Sequence, residues 1–139
     1  MIRIVLDTNV LVSGLLSGRA APGQIVELIT TGEIELACDA RILAEYREVL
    51  ARPELGINQS DAEDVLQHIE HAALRVDPKP WPEEVPDPDD EPFLAVAEAA
   101  RADCLVTGNL RHFPAKVRRS VHVLSPRQLL DVLARIRQH

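Results

Sequence analysis

The chain has 139 residues, enough for one domain that buries about two-thirds of its unfolded surface without staples. Its hydrophobic fraction of 46% is nearly all aliphatic, because aromatics make up 3%, and no run is long enough to span a bilayer. The net charge of −7 argues at first sight against a nucleic-acid partner, although the charge is unevenly spread.

In chain order, Ile2-Arg3-Ile4-Val5-Leu6 is an apolar, β-branched run and predicts a buried strand. It reaches a carboxylate, Asp7, too early for a signal-peptide apolar region, so the protein is expected in the cytoplasm. Val10 to Leu16 reads as a short helix ending near Ser17-Gly18. Pro22 opens a second helix with Ile25, Val26, Leu28 and Ile29 on its apolar side, ending at Gly32. Ile34 to Cys38 predicts a second strand. Asp39 then caps a helix with the apolar set Ile42, Leu43, Tyr46, Val49 and Leu50, closed by Pro53. A further helix starts at Ser60 and carries Ala62, Val65, Leu66 and Ile69, and Leu74 to Val76 reads as a short edge strand.

Residues 77–92 hold six of the ten prolines and predict a loop with polyproline character. Asp90 is placed as the cap of a helix with Phe93, Leu94, Ala97 and Ala100. Strands follow at Cys104 to Thr107 and Val121 to Leu124, and Ser125-Pro126 opens a last helix through Ile136. Strands alternating with helices give an α/β fold with a mainly parallel sheet in a single domain, 1–139. Cys38 and Cys104 lie in two of the strands and read as buried reduced thiols, without the spacing of a zinc or redox pair.

Four features gather chemistry. Asp7 stands at the carboxyl end of the first strand, the edge where open α/β sheets bind ligands, although helix capping also accounts for an Asp there. Glu45 lies about 40° beyond Val49 at the border of its helix's apolar stripe, and is either paired by Arg41 or used. Asp87-Pro88-Asp89-Asp90 supplies more carboxylates than one cap needs, and Asp90, nearest the helix, is the candidate to face a site. Thr107 and Asn109 end a later strand on the same edge as Asp7. Converging carboxylates repel unless a cation joins them, and hard oxygen ligands select Mg2+ or Mn2+ over zinc. The matching chemistry is phosphodiester hydrolysis. Charge supports two surfaces: seven acids against one base over residues 77–91, and seven bases against one acid over residues 111–139. The first can hold cations and the second phosphates, although solvated helix faces account for both.

At this point the chain resembles a PIN domain. The resemblance rests on Ile4 to Val12 around Asp7-Thr8-Asn9, on Leu43-Ala44-Glu45-Tyr46, on Asp87 to Asp90 before Phe93-Leu94, and on Ala102 to Asn109, in that order. It is similar to the small prokaryotic ribonucleases of the VapC type, the toxin components of toxin–antitoxin pairs. The resemblance implies a three-layer α/β/α sandwich with a five-stranded parallel sheet, endoribonuclease activity with Mg2+ or Mn2+, an antitoxin protein partner and a homodimer. It matches Asp7, Glu45 and Asp90 to three catalytic, metal-holding acids, with Thr107 and Asn9 supporting them. The family's fourth acid falls on Asn109, an amide that adds no charge, so a second ion is expected to be held more weakly. Arg111, nearest the site in sequence, is the expected substrate contact. The rival is a PIN-like interaction module whose catalysis is weak or lost. A haloacid-dehalogenase phosphatase would need an Asp where Asn9 stands, and a receiver-like domain would need an acidic neighbour for Asp7.

Overall fold

The computed structural model describes residues 1–138; His139, at the end of the expected domain and of the basic segment, lies outside the described residues. Five strands form one parallel sheet: β1 (Ile2–Leu6), β2 (Ile34–Cys38), β3 (Leu74–Arg75), β4 (Cys104–Val106) and β5 (Val123–Leu124). Their order is β3-β2-β1-β4-β5. Among the described residues, six α-helices accompany them: α1 (Thr8–Leu16), α2 (Ala21–Thr30), α3 (Ala40–Leu50), α4 (Gln59–Ala72), α5 (Glu91–Ala99) and α6 (Pro126–Arg137). This is the expected α/β architecture.

Consecutive residues of a strand point to opposite faces, so unbroken burial along it means that both faces are covered. Ile4, Val5 and Leu6 are buried in sequence, as are Cys104, Leu105 and Val106. α5 lies across β1, β2 and β4, while α2 packs on β2 with α1 and α6 beside it. Helices α1 and α2 approach closely because glycines allow it. A Cβ on Gly23 would stand 2.5 Å from the Gly18 backbone, and one on Gly14 would stand 2.6 Å from Val26. Both cysteines are buried and unpaired. Among the described residues, no helix is long and apolar enough to cross a membrane.

Element ends differ from the sequence reading where a side chain caps the backbone. Asn58, not Ser60, starts α4, since its side chain accepts from Asp61 N. Asp87, not Asp90, supplies the cap before α5: its Oδ1 accepts from Asp89 N at 3.0 Å, and a 3₁₀ turn over Pro88–Asp90 follows. Asp90 makes no side-chain cap, which leaves its carboxylate for other use. The strand expected over Val121 to Leu124 shortens to Val123–Leu124. Ser125 opens α6 as expected, through a full capping box with Gln128.

The proline-rich loop is pinned more firmly than its composition predicts. Trp81 is buried and donates Nε1–H to Val117 O at 3.0 Å, while its own backbone N–H donates to Glu91 Oε1. Arg119 lies over the Trp81 ring at 5.6 Å. This joins the acidic loop to the basic segment.

Candidate functional site

The strand order places the site. From β1 the chain steps outward to β2 and β3, then crosses back to lay β4 on the other side of β1. Loops leaving two strands on either side of such a reversal part, and a crevice opens at their carboxyl ends. Asp7 follows β1 and Thr107 follows β4, so both stand at that crevice. Parallel pairing brings Leu6 level with Val106, and Asp7 N donates to Val106 O at 2.9 Å. Thr107, fully buried, donates its hydroxyl to Asp7 Oδ2 at 2.7 Å.

Glu45 arrives through its neighbour. Tyr46 is buried on the apolar face of α3, and its hydroxyl donates to Leu6 O at 2.5 Å. That bond moors α3 to the end of β1 and brings Glu45 beside the start of α1, where Thr8 Oγ1 donates to Glu45 Oε2. Of the two readings open for Glu45, pairing with Arg41 does not occur: Arg41 is bound to Asp39, at 2.8 Å. Asp90 completes the group from the 3₁₀ turn before α5. Its Oδ2 is buried and accepts no hydrogen bond; His112 Nδ1 lies 3.2 Å away, near enough for attraction but misaligned for a bond.

The three acids line one cleft of about 460 Å³, with Asp87 and Asp89 adding two more carboxylates. The basic side chains lining it, among the described residues, are Arg52 and His112. A smaller apolar hollow of about 210 Å³ lies at the opposite end of the sheet, by Met1 and Ile34, and gathers no such group.

Burial acts on every member, and repulsion by Asp7 is added at Glu45 and Asp90. Burial raises the Asp7 carboxyl above its ordinary range, against the lowering effect of the Thr107 hydroxyl. Burial likewise raises Glu45, Thr8 opposes it and the charge of Asp7 adds to it. Asp90 is pushed up to about 6, first by burial and then by Asp7, with His112 pulling the other way.

The supporting residues divide. Asn9 lines the cleft, and its Oδ1 accepts from Gly108 N at 3.4 Å, tying the loop after β4 to the start of α1. Asn109 is turned to local structure: its Oδ1 accepts from Arg111 N at 3.2 Å and its N–H donates to Thr107 Oγ1. Neither Asn109 nor the exposed Arg111 is among the residues lining the cleft. Thr8, Arg52 and His112 were not singled out from sequence. Thr8 reads as a helix-start residue, and the other two sit in a helix-end turn and a 3₁₀ turn that carry no periodic signal. Three of the seven bases of the basic segment are engaged in structure. Arg118 donates to Phe113 O, Arg119 pairs with Glu98, and Arg137 lies 3.9 Å from Glu33.

Among the described residues, no group of three His, Cys, Asp or Glu side chains stands in an arrangement that holds a metal ion. The donor chemistry nonetheless fits a hard cation. All three acids offer oxygen, each is pressed towards protonation, and Asp90 Oδ2 is buried and accepts no hydrogen bond.

Comparison with known proteins bears on the fold and the family. The VapBC2 complex of Rickettsia felis, in a crystal structure bound to a DNA fragment from its promoter, contains a chain of similar fold. The TM-score is 0.62 and the identity 16%, covering 89% of this chain and 98% of that one. Among curated proteins, none matches the sequence. The PIN domain profile matches residues 3–111, well over half of the length and all of the acids described above, and the chain therefore belongs to the PIN domain family.

Proposed function

We propose that this protein is a divalent-metal-dependent endoribonuclease of the cytoplasm, hydrolysing RNA phosphodiester bonds as the toxin component of a toxin–antitoxin pair. The observation that carries this reading is Asp90: a buried carboxylate whose Oδ2 accepts no hydrogen bond, repelled by Asp7 in the same cleft and attracted by His112. Structure of this kind costs stability and is relieved by a cation.

Asp7, Glu45 and Asp90 are the residues to hold Mg2+ or Mn2+, and side-chain rotation is needed for them to close on one ion. A cation bound there supplies a Lewis acid for the phosphate oxygen and lowers the pKa of an attacking water. The protein's own contribution is orientation. Thr107 holds Asp7 by Oδ2 and Thr8 holds Glu45 by Oε2, leaving Asp7 Oδ1 and Glu45 Oε1 outside those two bonds. Asn9 fixes the two loops that flank the cleft. Asn109 contributes through the turn that it caps and through its bond to Thr107, not as a fourth ligand.

The Rickettsia felis neighbour is a VapBC2 complex on promoter DNA, which supports an antitoxin protein as the partner of this chain. A homodimer is the assembly that the family resemblance implies. The second reading, a PIN-like interaction module with weak or lost catalysis, is favoured by the absence of a preformed ligand group among the described residues.

Cleavage of single-stranded RNA separates the two. The nuclease reading expects cutting that needs Mg2+ or Mn2+, stops with EDTA and is lost in folded Asp7→Ala and Glu45→Gln. Cleavage that survives EDTA contradicts the metal chemistry, and no cleavage with either ion favours the interaction module.

A further inference from the structure

We propose that Arg52 is a substrate-binding residue of this cleft, receiving a phosphate of the RNA that flanks the scissile one; this assignment rests on the ribonuclease reading. Five carboxylates line the cleft, so it stays net negative even when one divalent cation is bound. A polyanionic strand entering it needs a positive group beyond the metal. Among the described residues Arg52 is the permanent cation lining the cleft, and His112 lies beside Asp90, 3.2 Å from its Oδ2. The arginines of the basic segment stand elsewhere, Arg118 on Phe113 O and Arg119 on Trp81 and Glu98.

Position and preparation both favour Arg52. It stands in the turn just past the carboxyl end of α3, seven residues beyond Glu45, and lines the same cleft. A position beside the three acids and not among them suits a flanking phosphate and not the one attacked there. Glu48 grips the guanidinium from one side, with Arg52 Nε donating to Oε1 at 3.1 Å and Nη2 to Oε2 at 2.8 Å. The fork is thereby oriented while Nη1 stays outside the pair, and about half of the side chain is exposed to an incoming strand. A planar guanidinium with spare donors suits a phosphate better than an ammonium does.

Steady-state cleavage of a fluorescent single-stranded RNA in Mn2+ tests this. Arg52→Ala is expected to raise KM about tenfold, the loss of one charge-assisted contact, with kcat little changed. Arg52→Lys should recover part of that loss. The salt slope of RNA affinity should become shallower by about 0.7, one phosphate contact on a single strand. The same rise in KM should persist in a Glu48→Ala background, because the contact is direct. If it vanishes there, Arg52 acts only by pairing Glu48 and the assignment is overturned. Unchanged KM and salt slope in Arg52→Ala overturn it equally. Failure of the ribonuclease reading looks different: the wild-type protein and every variant cut nothing, and the Arg52 assignment falls with it.

Discussion

Asp90→Asn is expected to stabilise the metal-free protein, and to do so only above the pH at which Asp90 ionises. The folded carboxyl titrates near 6 against an ordinary value of 3.8. Between these values the folded state keeps a proton that the unfolded chain has released, so stability falls as pH rises through the window. Below about 4 both states are protonated and nothing is lost; above about 6 both are ionised and the whole penalty is felt. At about 1.4 kcal/mol per pH unit, the rise amounts to roughly 3 kcal/mol. Screening discounts this little, since Asp90 is 8% exposed, whereas loss of the attraction to His112 discounts it somewhat more. An amide is the same shape and carries no charge, so a gain of about 2 kcal/mol at pH 8 is expected, near 8 °C in Tm for a chain of this size. The assay is thermal unfolding of EDTA-treated wild type and variant from pH 4 to pH 8. A variant that melts at or below wild type at pH 8, or that gains as much at pH 4, refutes the picture of Asp90 as a strained, cation-seeking carboxylate.

Thr107→Val should cost about 1–3 kcal/mol in urea unfolding, because Asp7 Oδ2 loses its buried donor, with a larger loss at pH 8 than at pH 5 as the Asp7 carboxyl is raised further. Gly23→Ala should lower stability by about 1–3 kcal/mol in the same assay, since the new methyl meets the Gly18 backbone and not a flexible side chain. Asn109→Asp should leave Mn2+ affinity unchanged in a calorimetric titration, because either side chain caps Arg111 N; Asn109→Ala should cost about 1 kcal/mol of stability.

Some of this site was legible in the residues themselves. A strand ending in Asp7 and a strand ending in Thr107 follow from apolar runs, and the rule for parallel sheets puts both ends on one edge. Glu45 could be located because helical periodicity sets it against the apolar stripe. What escaped depends on side chains meeting across the fold. Tyr46 reads as one more apolar-face residue, yet its hydroxyl is what docks α3 on Leu6. Asp90 reads from sequence both as the helix cap and as the acid facing a site, and only the 3₁₀ turn gives the cap to Asp87 and frees the Asp90 carboxylate. Trp81 sits in a stretch whose prolines and acids read as solvated, but Val117 offers it a buried acceptor. Arg111, soon after Thr107, reads as the substrate contact, whereas in space Arg52, in the turn after α3, lines the cleft and Arg111 does not.

The central claim is that Asp7, Glu45 and Asp90 together take one hard cation. Isothermal titration of Mn2+ into EDTA-treated, dialysed protein at pH 7.5 tests it most directly, with wild type beside Asp90→Asn. Saturable binding to wild type, lost or weakened at least tenfold in a variant that is itself the more stable of the two, is the predicted result. Absence of binding by wild type, or equal binding by both proteins, would contradict it.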